Sequence, residues 1–263
     1  VRVRRVLAPN PGIYTGPGTN TYLLEDEGEV LILDPGPVIA DHEAAIVAAL
    51  GEHRPVGVVV THTHPDHAPL ANPLAGRLHV AVYGFGPGPA FAPDVRLQDG
   101  ERVRFGGREI VAVHTPGHTA DHLCFLLEDR LFTGDHIMEG STVVIDDAAA
   151  YLASLYRVRE LRVARLEPGH GESIDDAGAV IDEYIDHRLL RERQLVAAVA
   201  AGARTLGEVV DVVYVGLPGP LRPAALHQVH VQFRKLSNEG RVRLGAGGAE
   251  ASTTVEPNER HRE

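Results

Sequence analysis

The chain has 263 residues, 36 Asp and Glu against 25 Lys and Arg, a formal net charge of −11 and a single cysteine, Cys124. The length and a 44% hydrophobic content allow one large domain, or one large and one small, and exclude wholesale disorder. One cysteine excludes an internal disulfide framework and a zinc site built from several thiolates, and the acidity argues against a dedicated duplex-DNA binder.

Residues 1–7 alternate, 21–25 follow a Gly/Pro loop, and 30–33 form an apolar run ending at Asp34-Pro35-Gly36; all three predict strands. Residues 40–50 place Ala44, Val47 and Ala48 on one face, a helix that stops at Gly51. Residues 56–60, nearly all valine, predict a strand buried on both faces. Further strands are expected at 78–82, 109–114, 123–127 and 130–133, which gives an α/β layered domain over residues 1–204. Residues 175–201 read as a long helix with Val180, Ile181, Tyr184, Ile185 and Leu189 on one face, broken at Gly202. Thr205 and Glu208 then make a capping box. A Pro/Gly loop at 217–223, a helix at 224–238 and a short strand at 241–244 follow, so residues 205–244 suggest a winged-helix unit. Residues 245–263 are small, polar and charged and read as a disordered tail. No targeting segment or membrane span is read, and the cytoplasm is the expected location.

Fifteen histidines stand out, and the densest group is Thr61-His62-Thr63-His64-Pro65-Asp66-His67, directly after the strand at 56–60. The C-terminal end of a strand is where open α/β sheets place their chemistry. Three further segments put a ligand-type residue in a Gly-containing turn after an expected strand: His118 in Thr115-Pro-Gly-His118, Asp135 in Thr133-Gly-Asp135-His136, and His170 in Pro168-Gly-His170-Gly171. Glycine lets the backbone turn tightly beside a metal. The set supplies His62, His64 and His118 for one metal and Asp66, His67 and His170 for a second, with Asp135 able to bridge them. Imidazole and carboxylate suit zinc, with iron or manganese as alternatives, and three ligands per metal leave the open positions of a catalytic site.

THTHPDH, PGHTADH, TGDH and PGHG, in this order, resemble the motif series of the metallo-β-lactamase superfamily. The resemblance implies a four-layer αβ/βα sandwich with two zinc ions at one edge of the sheets. It covers about residues 10–200, with Ala68-Pro69 departing from the Gly-rich residues that follow His67 in many relatives. Gly18-Thr-Asn-Thr-Tyr-Leu23, Gly134-Asp-His-Ile137 with Ser141-Thr142, Tyr184-Ile-Asp-His-Arg188 and the small C-terminal unit are similar to the beta-lactamase-like protein two family, over nearly the whole chain to Leu244. That group includes a single-strand-specific endoribonuclease and, in fungi, thioesterases that release polyketides from acyl carrier protein.

The resemblance implies a hydrolase in which a hydroxide held between the metals attacks a carbonyl carbon or a phosphorus, with Asp66 and Asp135 ligating metal and orienting the nucleophile. His122, four residues after His118, is expected either to donate to the substrate oxyanion or to support a ligand from behind. Single-stranded RNA is the first substrate expectation. It leans on Arg157, Arg159, Arg162 and Arg165, and on Arg222, Arg234, Lys235, Arg241 and Arg243 in the C-terminal unit. A small-molecule ester or a thioester, as in the hydroxyacylglutathione hydrolases or the acyl-carrier thioesterases, is the alternative, and β-lactam hydrolysis ranks third. A metal-binding regulator that binds DNA is a different class, disfavoured by the intact ligand positions. His42, His53, His79, His187, His227, His230 and His261 lack a motif and are expected at the surface or as caps.

Overall fold

The computed structural model describes residues 1–138, 140 and 143–258; Ser141, Thr142 and His261 lie outside the described residues. The first half is β1 (Arg2–Leu7), β2 (Asn20–Asp26), β3 (Glu29–Leu33), α1 (Ala40–Leu50), β4 (Arg54–Val59), α2 (Ala71–Leu78), β5 (Ala81–Gly84) and β6 (Val95–Arg96), and its strands form one sheet in sequence order. A second sheet contains β7 (Arg102–Phe105), β8 (Arg108–His114), β9 (Leu123–Leu127), β10 (Arg130–Gly134) and β11 (Arg165–Pro168), in the order β11-β10-β9-β8-β7. Helix α3 (Ala148–Glu160) lies in the chain between β10 and β11, and α4 (Ala177–Ala200) follows them.

Alternation along the strands builds the layers. Tyr22, Leu24, Leu31, Leu33 and Val59 of the first sheet pack against Phe105, Ile110, Phe125 and Phe132 of the second, which makes the inter-sheet core. Their strand neighbours Leu23, Val30, Ile32 and Val58 face the other way and bury Ile46 and Leu50 of α1 and Leu74 of α2. On the second sheet Val113, Cys124, Leu131 and Leu166 face outward onto Tyr151, Leu155 and Val158 of α3 and Ile181 and Ile185 of α4. The result is four layers, helix–sheet–sheet–helix.

The strand expected at 78–82 starts later, at Ala81, because Ala71–Leu78 forms a helix whose C-cap, His79, takes a left-handed conformation with φ 56°. Helix α3 has no counterpart among the elements expected from sequence; Asp147 caps it by accepting from the amides of Ala149 and Ala150.

The C-terminal unit holds α5 (Leu206–Val213), α6 (Arg222–Asn238), β12 (Val242–Leu244) and β13 (Val255–Pro257). The Thr205–Glu208 capping box is formed. The tail expectation needs correction over residues 245–258. Strand β13 pairs antiparallel with β12 as a wing, and Val255 is buried with Val242, Leu206 and Phe233. An isolated valine among polar neighbours carries no periodicity, yet it closes the core of a small unit. Leu195, Ala198 and Val199 of α4 join the same cluster, so the long helix belongs to both cores. No helix of the described residues is long and apolar enough to cross a membrane.

Candidate functional site

The seven ligand-type residues come from five turns at one edge of the two sheets. His62 and His64 follow β4, Asp66 and His67 occupy the turn after Pro65, His118 lies between β8 and β9, Asp135 follows β10 and His170 follows β11. The structure brings all of them together as two groups that share Asp135. These are His62, His64, His118 and Asp135, and Asp66, His67, Asp135 and His170. Within each group the ligand atoms lie within 4.8 Å of one another. Asp135 divides its oxygens: Oδ2 is 3.6 Å from His118 Nε2, while Oδ1 is 3.2 Å from His67 Nε2 and 3.3 Å from His170 Nε2.

Hydrogen bonds behind the imidazoles set which nitrogen faces the centre. His62 Nδ1 donates to Thr61 Oγ1 at 3.0 Å, His67 Nδ1 to Asp34 Oδ2 at 2.9 Å, His118 Nδ1 to the Val144 carbonyl at 2.6 Å and His170 Nδ1 to the Gly18 carbonyl at 3.0 Å. Each therefore turns Nε2 inward. His62 Nε2 is buried without a hydrogen-bond partner, a cost that a cation would remove. Buried imidazole and carboxylate donors from several strand ends fit divalent metal ions.

Electrostatics agree with that fit. Burial holds His62 well below the usual histidine range, and its histidine neighbours lower it further, so it is a neutral donor. Burial also opposes protonation of His67, but Asp135 and Asp34 outweigh it and raise that group well above the usual value. His170 is likewise pushed up to about 9, with burial opposed by hydrogen bonds to Asp135 and Asp66. Burial works against the Asp135 carboxylate, yet His67 and His170 hold it far down and ionised. The carboxylates thus draw positive charge to the His67 and His170 side of the site.

His122 differs from one of its two expectations. It is wholly buried and does not line the cleft, so it cannot reach a substrate oxyanion. Its Nε2 accepts the Asp135 amide N–H at 3.2 Å, while Nδ1 donates to Thr115 Oγ1 at 3.0 Å. It holds the Asp135 turn from behind.

Several supporting residues lie outside the ligand-bearing motifs. Asp34 takes φ 48° after β3 and accepts from the Thr61 amide and hydroxyl, both at 2.7 Å, as well as from His67. Its one sequence sign is its place at the end of an apolar run. Asn20 Nδ2 donates to the carbonyls of Pro168 and Gly171, both at 2.9 Å, and the Tyr22 hydroxyl donates to Pro168 at 2.7 Å, fixing the turn that carries His170. Gly169 in that turn admits no side chain, because a Cβ would lie 2.7 Å from His67 Cε1 and 2.8 Å from Asp135 Oδ1. His42, expected at the surface or as a cap, is buried and donates to Thr21 Oγ1 at 2.9 Å.

A cleft of about 720 Å³ opens onto this edge. His64, Asp66, His118 and Asp135 line it on one side, Met138, Val143 and Val144 line its flank, and Ile13 and Tyr14 reach it from the N-terminal loop. The rest of the wall comes from α4 and the C-terminal unit, including Tyr214, Leu217, Leu221 and Ala225. His187 and His227, also expected at the surface or as caps, line it as well, and His227 Nε2 lies 3.1 Å from Asp146 Oδ1.

Residues 14–170 match the family described as the metallo-beta-lactamase superfamily, and residues 205–248 match the beta-lactamase associated winged helix domain. The chain is 32% identical over 253 residues to a beta-lactamase-like protein 2 homolog of Caenorhabditis elegans, covering 91% of this chain and 85% of that protein. It is 36% identical over 241 residues to an atrochrysone carboxyl ACP thioesterase of Aspergillus chevalieri, covering 86% and 77%. In fold it is similar to a metallo-beta-lactamase family protein of Thermus thermophilus, with a TM-score of 0.78 at 21% identity over 97% of this chain and 98% of the other.

Proposed function

Because the chain belongs to the metallo-β-lactamase superfamily, we propose that it is a two-metal hydrolase of an acyl thioester. His62, His64, His118 and Asp135 would hold one divalent cation and Asp66, His67, Asp135 and His170 the other. Zinc is the proposed ion, and iron or manganese would suit the same donors. When bound, the cations supply Lewis acidity and lower the pKa of water towards neutrality.

The observation that carries the substrate reading is the cleft. The C-terminal unit lines the cleft at the metal edge with Tyr214, Leu217, Leu221 and Ala225, together with Met138 and Val143. An apolar acyl chain gains from that wall. A relative over most of the chain is named as an acyl-carrier thioesterase. Asp66 faces the cleft, its carboxylate kept ionised against burial by His170 and His67, and orients the attacking water. Asp135 is placed by His122 and holds its two oxygens toward the two groups. The water oxygen bonds to the carbonyl carbon and gives up a proton, the C–S bond breaks, and the leaving thiolate takes that proton up.

The endoribonuclease reading draws on the basic residues, and most of these are paired within the chain. Arg157 pairs with Asp99, Arg159 with Asp182, Arg165 with Glu167 and Asp175, and Arg222 with Asp211. Lys235 and Arg241 meet at Glu192, and Arg243 pairs with Glu256. Among the residues on which that reading leans, little free charge is left to track a phosphate backbone.

The test is turnover of a set of acyl thioesters and of a single-stranded RNA by zinc-loaded protein, with and without chelator. Chelator-sensitive thioester hydrolysis without RNA cuts is expected. Chelator-sensitive RNA cuts with no thioester turnover would replace this reading with the ribonuclease.

A further inference from the structure

The α4 wall of the cleft carries two guanidinium groups, Arg188 and Arg191, three residues apart and so on neighbouring positions of one helix face. Each lies over an aromatic ring. Arg188 Cζ is 4.8 Å from the centre of the Tyr151 ring, and Arg191 Cζ is 4.3 Å from that of Tyr214. A guanidinium held over a ring by cation–π attraction keeps N–H donors that can meet an oxyanion through two parallel bonds.

Neither cation has an acidic partner among the described residues. Arg188 donates to the Val143 carbonyl at 2.7 Å, but its Nε is buried with no partner. The helix neighbours of Arg191 at three and four positions are His187, Arg188, Gln194 and Leu195, none of them acidic. Glu192, the next residue, is held by Lys235 and Arg241. Burial, followed by the two guanidiniums, holds His187 below its usual range, so the arginines are the cations of this wall. The contrast with Arg157, Arg159 and Arg222, each in an ion pair, is sharp in a chain of net charge −11.

The geometry points to an anion subsite in which Arg191, assisted by Arg188, recognises a carboxylate or phosphate on the substrate, an inference that rests on the thioester reading of the adjoining metal-binding residues. The anion sits either on the acyl chain or on the thiol that carries it; both offer the same planar or tetrahedral oxygens.

Calorimetric binding of non-hydrolysable thioethers to zinc-loaded protein separates these sources. The probes are an N-acetylcysteamine thioether with a terminal carboxylate on its chain, the matching carboxamide, and the coenzyme A thioether of the carboxamide chain. At least one anionic probe is expected to bind about tenfold or more tightly than the carboxamide, and which one does so identifies the anion's position. Arg191→Met should bring that probe down to the carboxamide's affinity, while Arg191→Lys should keep part of the preference. Equal binding of all three probes, or a preference that survives Arg191→Met, overturns the subsite. If neutral thioesters are still hydrolysed in that case, the thioester reading stands without it. Absence of both binding and thioester turnover overturns both.

Discussion

Asp34 Oδ2 accepts the Nδ1–H of His67 at 2.9 Å, and both side chains are wholly buried. The same carboxylate accepts from the Thr61 amide and hydroxyl, so one side chain ties the end of β3 to the histidine loop after β4. This contact turns His67 Nε2 towards Asp135 and His170.

Asp34→Ala strips an acceptor from three buried donors. We expect a loss of about 1–3 kcal/mol of stability for the unpaired groups and roughly 10–100-fold weaker metal binding. Denaturant unfolding and chelator competition measure the two effects. Unchanged metal affinity would show that Asp34 supports only the fold.

His122→Ala leaves the Asp135 amide without its acceptor. Stability and kcat are expected to fall together, stability by about 1–3 kcal/mol. Full stability with lost turnover would return His122 to direct contact with the substrate.

The metal-free protein should lose stability as pH rises from about 6.5 to about 9. His170 and His67 have raised proton affinities in the fold, which stabilises it fully below the unfolded histidine value and progressively less as each folded group deprotonates. Cations replace those protons, so the loaded protein should lack this decline and metal uptake should release protons. Thermal unfolding at stepped pH in both states checks this; parallel profiles would contradict it.

Metal chemistry narrows the residue types, which is why the histidine loop after β4 and the three Gly-containing ligand turns are legible from the sequence alone. The motifs mark where the chain stops at a strand end, and the fold brings those ends to one edge. Asp34, Asn20 and Tyr22 are not legible as supporting groups, because each acts through a contact with residues far along the chain. Helix α3 opens on three alanines and buries Ser154 on the same face as Tyr151, Leu155 and Val158, which dilutes its pattern; Val113 and Leu131 lie in the same core cluster. Strand β13 depends on pairing with β12, which no local pattern announces. His122 is legible as important but not as hidden. Its position directly after Ala120-Asp121 suits either a cleft group or a buried one, and the Thr115 hydrogen bond decides.

Glu192 joins α4 to the C-terminal unit through Lys235 at 2.6 Å and Arg241 at 3.1 Å. Glu192→Gln should cost about 1–3 kcal/mol, limited because Glu239 still meets both cations. It should raise KM for thioesters while metal content stays constant, since it loosens the cleft wall and not the ligands. Elemental analysis beside steady-state kinetics tests this, and a changed metal content with constant KM would contradict it.

The most direct measurement of the metal centre is metal content per chain, by elemental analysis after zinc loading and exhaustive dialysis, of wild type and Asp135→Ala. The shared position of Asp135 between the two groups predicts two equivalents in wild type and loss from both sites in the variant. Two tightly held equivalents in Asp135→Ala, or a wild type that retains none, would contradict it.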